Sequence, residues 1–356
     1  MKATTILSGL CLLCFTACTS AGNKNADGQG QSEKLVTYFT NPVRTTGADP
    51  WVVTDQQKYY FSESDGGTKV YIHEFNKISE MGQSTGKLVF DTSSGKNKVN
   101  ALWGPHINKI NGEWYIYFCA QKNEDNKFTS QRMWVIKSTT DSPYGPYDQM
   151  TEVLGSNNTE WAIDGSVLQR KNGDLYFVWS GISKADIKNG SLHQKSYIAK
   201  MINPFHVDRK TITLISEPTE PWETSVRPIQ EGQRPMYVDR NGKTIVMYSA
   251  NASWTDEYCL GSLTNTDGNF LNPSSWVKSK APLFHKTDSV WGPGGASYVK
   301  SVDGTEDWIL YHAAQQKGSG WARNIRAQKF TFDSQGNPVF GDPIVPGVQM
   351  QVPSGE

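Results

Sequence analysis

The stretch that decides the fold is Asp164-Gly165-Ser166-Val167-Leu168-Gln169-Arg170-Lys171-Asn172-Gly173-Asp174-Leu175-Tyr176-Phe177-Val178-Trp179-Ser180. An acidic opening runs into a short apolar segment, an Asn-Gly pair follows, and an aromatic run ends in serine. Asn-Gly between two such runs marks a hairpin, because both central positions of a type I′ turn need positive φ. The aromatic and β-branched residues after it suit a pleated strand. The phrase recurs. Asp49-Pro50-Trp51-Val52-Val53 leads to Tyr59-Tyr60-Phe61-Ser62, and Gly104-Pro105-His106-Ile107 leads through Asn111-Gly112 to Trp114-Tyr115-Ile116-Tyr117-Phe118. Glu231-Gly232 opens a fourth copy that passes Asn241-Gly242 and ends in Ile245-Val246-Met247-Tyr248-Ser249. Gly292-Pro293-Gly294 opens a fifth, ending in Trp308-Ile309-Leu310-Tyr311-His312.

Five copies opening at 49, 104, 164, 231 and 292 are spaced by roughly 55 to 67 residues. That is too long for one hairpin and suits a four-stranded propeller blade with loops, since repeats of that kind run about 40 to 50. Outer-strand phrases such as Arg132-Met133-Trp134-Val135-Ile136 and Ser196-Tyr197-Ile198-Ala199-Lys200-Met201 lie between the copies. No segment keeps a 3.6-residue period over three turns. The chain therefore reads as all-β, a five-bladed β-propeller over residues 37–352, because a β-sandwich seldom repeats one phrase five times.

Charge narrows the function. Thirty-five Lys plus Arg balance 35 Asp plus Glu. With no block of one sign, nothing attracts nucleic acid or an anionic surface. Residues 1–17 read as a lipoprotein signal peptide: Lys2 is basic, Ile6 to Phe15 are apolar but too short to span a bilayer, and Phe15-Thr16-Ala17-Cys18 resembles a lipoprotein cleavage box. Cys18 would carry the lipid and residues 18–36 would form a polar tether. The expectation is an exported, outer-membrane-anchored lipoprotein that touches the membrane through its lipid only. The absence of an acidic run after Cys18 favours the periplasmic side. Cys11 and Cys14 leave with the signal. Cys119 and Cys259 sit in separate apolar runs and read as two buried thiols rather than a bridge.

The first strand of each blade lines a propeller's axis, so the openings of the copies converge. Copies one, three and four open on Asp49, Asp164 and Glu231, whereas two and five open on Gly-Pro. Confined like charges cannot all ionise, so one acid keeps its proton near neutrality, as a general acid must. An acid and a base flanking one bond are what glycoside hydrolysis uses. Asp164-Gly165 alone is also compatible with turn chemistry. No metal-ligand spacing, phosphate-binding glycine loop or serine nucleophile elbow is present, and no cofactor is expected.

Over roughly Thr46 to Pro343 these phrases resemble glycoside hydrolase family 43, the five-bladed propellers that include arabinofuranosidases, xylosidases and arabinanases. The resemblance implies that Asp49, in Ala48-Asp49-Pro50-Trp51, is the general base. Asp164, in Ala162-Ile163-Asp164-Gly165-Ser166, would tune and orient the general acid, and Glu231, in Gln230-Glu231-Gly232, would be that acid. Leu102-Trp103-Gly104-Pro105, Pro221-Trp222-Glu223 and Tyr258-Cys259-Leu260-Gly261 are similar to arabinofuranosidase-type members, which makes Trp103 a sugar-stacking residue. His106 and Arg326 are assigned to substrate contact, while Arg323 reads as surface charge and His312 as a structural histidine. The family's fifth-blade histidine, near an axial ion, is replaced by Gly295, His106 stands where an acid is usual, and Gln233 where proline is usual. The implied activity is inverting, exo-acting release of α-L-arabinofuranosyl groups from plant oligo- or polysaccharides. A β-D-xylosidase, a galactosidase and a non-catalytic carbohydrate-binding propeller remain open.

Overall fold

The computed structural model describes residues 37–93, 99–122, 128–155 and 161–356. The expected signal peptide, the expected lipidation site Cys18 and the expected tether lie outside the described residues. The rest is a five-bladed β-propeller whose blades are antiparallel meanders. Blade 1 comprises Trp51–Asp55, Lys58–Ser64, Lys69–Phe75 and Lys87–Asp91; blade 2 comprises Val99–Ile110, Glu113–Lys122, Gln131–Ser138 and Tyr147–Glu152. Blade 3 runs through Trp161–Gln169, Leu175–Ile182 and Lys195–Asn203, and its outer edge is shared by His206–Val207 and Thr213–Ser216. Blade 4 comprises Gln230–Arg240, Lys243–Ala250, Cys259–Asn265 and Trp276–Lys278; blade 5 comprises Gly294–Lys300, Asp307–Ala314, Arg323–Phe332 and Pro338–Val339. Each first strand touches the first strand of the next blade, and the fifth returns to the first.

The core is five wedges rather than one. Tyr117, Met133 and Trp161 pack with Phe177 between blades 2 and 3, and comparable apolar clusters fill the other four interfaces. The serines that end the aromatic runs have a polar task. Ser62 Oγ donates to Pro105 O and Ser180 Oγ to Gln230 O at 2.8 Å, while Ser249 Oγ accepts from the Gly295 amide at 3.0 Å. These hydroxyls bond blades 1, 3 and 4 each to the inner strand of the next.

The ring is closed by the chain's two ends. Tyr38–Thr40 pairs with Gln349–Gln351, Asn41 brackets Ala327 through both its amide atoms, and Arg44 exchanges backbone bonds with Ile325. Two of the three Asn-Gly turns take positive φ at both residues: Asn111 at 51° with Gly112 at 87°, and Asn241 at 52° with Gly242 at 76°. The third differs. Only Gly173 is left-handed, at 89°, and Gly173 N donates to Arg170 O while Arg170 N donates to Asp174 O. This is a three-residue loop whose last residue is left-handed, selected because Asn172 Oδ1 accepts from the Asp174 amide instead of following into the left-handed region. Blade 1 makes the tight turn without glycine, through Gln56 at 49° and Gln57 at 62°. Cys119 and Cys259 are buried, separate thiols, as their strand contexts indicate.

Candidate active site

Four inner strands slip register at equivalent points: Trp103/His106, Ile163/Ser166, Glu231/Arg234 and Gly294/Ser297. Each bulge holds one left-handed residue, Gly104, Asp164, Gly232 or Gly295, with φ of 49°, 54°, 64° and 55°. In blade 1 the same position, two residues before the paired Trp51, is Asp49 at 46°. Asp49 and Asp164 thus occupy symmetry-equivalent places, and Glu231 stands one residue earlier in blade 4. The left-handed residue is Asp164 itself. Gly165 is required for space, because a Cβ there would lie 2.1 Å from Phe177 Cζ, so the pair is not a turn.

These acids line one cleft of about 1160 Å³, together with Trp103, Ile163, Arg227, Trp254, Trp321 and Arg323. Asp164 Oδ2 accepts from the Gly232 amide at 2.9 Å, which ties it beside Glu231. Tyr258 Oη donates to Glu231 Oε1 at 2.9 Å, and its ring stacks on His312, 5.5 Å between centroids and 4° from parallel. His312 then meets Asp49: its Nδ1 lies 3.3 Å from Asp49 Oδ1, and its Nε2 accepts from Arg323 Nη1 at 3.2 Å. The Asp49 amide N–H also points at Nδ1, at 3.1 Å, so both ring nitrogens face donors while Nδ1 also borders the Asp49 carboxylate. Behind Glu231, Gln230 is pinned by buried Glu223, whose Oε1 also accepts from Tyr248 and whose Oε2 accepts from Lys278.

Two residues below each bulge, Trp51, His106, Ser166, Arg234 and Ser297 plug the axis. Arg234 is 2% exposed, donates to His106 Nε2 at 2.8 Å, and lies over the Trp51 ring at 4.9 Å. His106 stacks on Trp51 at 4.3 Å, and its Nδ1 donates to Gly165 O at 3.1 Å. A second cavity of about 330 Å³ begins at this plug and shares no lining residue with the cleft.

The environments separate the three carboxyls. Burial opposes the charge of Asp49, but the His312 hydrogen bond and the Arg323 and Arg234 charges outweigh it and hold the group well below the usual carboxylate range. Asp164 is raised to about 6 by burial and by the Asp49 charge. Glu231 is raised to about 8 by burial and by Asp164, with the Tyr258 bond pulling the other way. Burial lowers His312 to about 4 and holds His106 well below the ordinary imidazole range, so both are neutral.

Sequence reading and structure differ at the supports. Trp103 lines the cleft. His106 does not: it is fully buried beneath the floor, where it orients Arg234. Arg326 is 1% exposed, with Nε on Asn324 Oδ1 and Nη2 on Ala314 O, and lies outside the cleft lining. Strand parity explains the exchange. Arg323 and Arg326 are an odd number of residues apart on one strand and face opposite sides, so Arg323 enters the cleft. Arg234, Tyr258 and His312 carried no local signal beyond being polar groups in apolar runs. An axial metal does not suit these residues. A Cβ at Gly295 would lie 2.5 Å from Asp49 Oδ1 and 2.6 Å from the His312 ring, and the Arg234 guanidinium already brings positive charge to the axis.

Residues 39–338 match Glycosyl hydrolases family 43. The chain belongs to that family. It is 30% identical over 322 residues to the extracellular exo-α-(1→5)-L-arabinofuranosidase of Streptomyces avermitilis, and 29% identical over 321 residues to α-L-arabinofuranosidase B of Pyricularia oryzae. Each alignment covers 87% of this chain but 64% of the relative, so the chain spans less than two thirds of either protein. Among solved structures, the α-L-arabinofuranosidase of Lactobacillus brevis superposes with a TM-score of 0.77 at 26% identity, covering 87% of this chain and 98% of that one.

Proposed function

We propose that this family 43 chain is an inverting, exo-acting α-L-arabinofuranosidase. The observation that carries the reading is the separation of three carboxyls in one cleft: Asp49 holds its charge, Glu231 holds its proton, and Asp164 lies between. Asp49 removes a proton from water as the water oxygen bonds to the anomeric carbon. The glycosidic bond breaks on the opposite face, and the departing oxygen takes the Glu231 proton. His312 and Arg323 keep Asp49 ionised; Asp164 keeps Glu231 protonated and, through the Gly232 amide, aimed. Trp103 offers an indole face to the terminal sugar. The relatives, both arabinofuranosidases and one of them extracellular, support the choice of arabinose and of export. A signal over residues 1–17, a lipid on Cys18 and a tether over residues 18–36 complete the proposal, with the anchor on the periplasmic side; incorporation of labelled palmitate that is lost in Cys18→Ala checks the anchor.

The test is an NMR-followed digest of arabinose-decorated oligosaccharides beside a panel of aryl glycosides. The expected result is free arabinose whose first-formed anomer is β. Preferred cleavage of xylosides or galactosides would replace the sugar assignment, an α product would overturn inversion, and binding without product would leave a carbohydrate-binding propeller.

A further inference from the structure

Of the chain's 12 tryptophans, the two most exposed stand together on the cleft rim: Trp254 is 43% and Trp321 65% exposed. Their rings meet edge to face, with centroids 5.5 Å apart at 67°. They come from different blades. Trp254 lies in the loop after Lys243–Ala250 of blade 4, and Trp321 in the loop before Arg323–Phe332 of blade 5. The loops are fastened to each other: Trp321 Nε1 donates to Ser253 Oγ at 3.2 Å and Gly318 N to Asp256 Oδ1 at 2.9 Å. Each is also braced within itself, by Thr255 Oγ1 on Ala252 O and by Gln315 N and Ala322 O. Leaving two indoles in water costs burial that every other tryptophan here obtains more fully, and large apolar groups clustered at a rim mark a binding surface.

We infer that Trp254 and Trp321 form a preorganised stacking platform for the sugars next to the one removed, on the leaving-group side of the cut bond. This rests on the exo-acting reading above, under which every sugar beyond the terminal one projects outward from the acids. Position identifies the occupant. Trp321 is two residues from Arg323, about 7 Å at full extension. Arg323 in turn bonds His312, the partner of Asp49. The cleft is continuous from the acids to the two indoles. Its volume of about 1160 Å³ exceeds the roughly 300–1,000 Å³ that encloses a drug-sized ligand, so there is room for several sugar rings. A sugar presents an apolar C–H face to an indole while its hydroxyls stay in water or meet Ser253 and Gln315, which also line the rim. The ligand class is therefore a neutral pentosyl oligosaccharide or a branched chain, entering across blades 4 and 5.

The experiment compares several substrates of two kinds on the full chain and on Trp254→Ala, Trp321→Ala and the double variant. One is an aryl α-L-arabinofuranoside, which has no sugar in its leaving group. The others are arabinose-terminated oligosaccharides of two to five units. The double variant should lose about tenfold in kcat/KM on the longer oligosaccharides, mainly through KM, and clearly less on the aryl substrate; Trp321→Phe should restore most of the loss. Equal losses on both substrate types, or no loss at any chain length, would overturn the platform. A second readout is independent of turnover: titrated into Glu231→Gln, the same oligosaccharides should change tryptophan fluorescence more as they lengthen, and that dependence on length should vanish when both indoles are removed, leaving the response of Trp103 to the terminal sugar. If the wild-type protein cleaves no arabinoside, the proposed activity fails, and this titration still decides the platform: a dependence on length that is lost with the indoles supports it, and a response independent of length, or one whose dependence on length persists without them, refutes it.

Discussion

Blades 1 and 3 differ from blades 2, 4 and 5 at one backbone position. All five turn left-handed there, but Gly104, Gly232 and Gly295 do so freely, whereas Asp49 and Asp164 do so with a side chain. For an L-residue that conformation costs on the order of 1–2 kcal/mol, least for Asp and Asn. Every blade has the left-handed turn, and four of them the register slip as well; a carboxyl stands on it only in blades 1 and 3. Blade 5 shows what the alternative looks like, since its glycine leaves room for Asp49 and the His312 ring. The strain is thus spent on two residues that face the cleft, and the proton-holding Glu231 sits beside a glycine.

Asp49→Asn keeps the left-handed backbone and removes the base. It should lower turnover about 10²–10⁴-fold on activated and unactivated substrates alike, measured by initial rates, and retained activity would remove Asp49 from its role. Gly295→Ala should come next: its Cβ is driven against Asp49 and His312, so stability should fall by about 1–3 kcal/mol in denaturant melts. Gly104→Ala has the same backbone strain but its nearest contact, Asp164 Oδ1, is at 3.2 Å, so it should cost less; equal losses would show that strain alone decides. Asp164→Asn removes one of the three causes that raise Glu231, which are burial, the Asp164 charge and the Asp49 charge. The basic limb of the kcat/KM profile, expected near pH 8 in the native chain, should therefore move to lower pH. Gln56→Asn with Gln57→Gly gives blade 1 the turn residues of blades 2 and 4. Thermal melts should show a gain of about 0.5–1 kcal/mol without change in activity.

The propeller and its acids were legible in the sequence because both repeat. An aromatic run, repeated five times and ending in serine in three of them, reflects the wedge cores and the hydroxyl bonds between blades, and Asp49 and Asp164 stand at matching points of the phrase. The supports were not legible. His312, Tyr258 and Arg234 act across blade boundaries, and only the assembled ring brings Tyr258 from blade 4 onto His312 from blade 5. The choice between Arg323 and Arg326 needed strand register, since Arg323 pairs with Ala314 and Arg326 with Tyr311. His106 looked like a cleft residue because it follows Gly104-Pro105, yet the bulge turns it inward to Arg234. The third hairpin escaped because Asp174 offers Asn172 a competing bond.

The central claim is that one buried carboxyl stays protonated beside an ionised one. Infrared difference spectra of the protonated-carboxyl band, recorded from pH 5 to 10 on the native chain and on Glu231→Gln, test it directly. The account requires one carboxylic acid that titrates near pH 8 in the native chain and is missing from the variant. A native chain with no carboxyl titrating above the ordinary acid range, or a high-pH band that persists in Glu231→Gln, would contradict it.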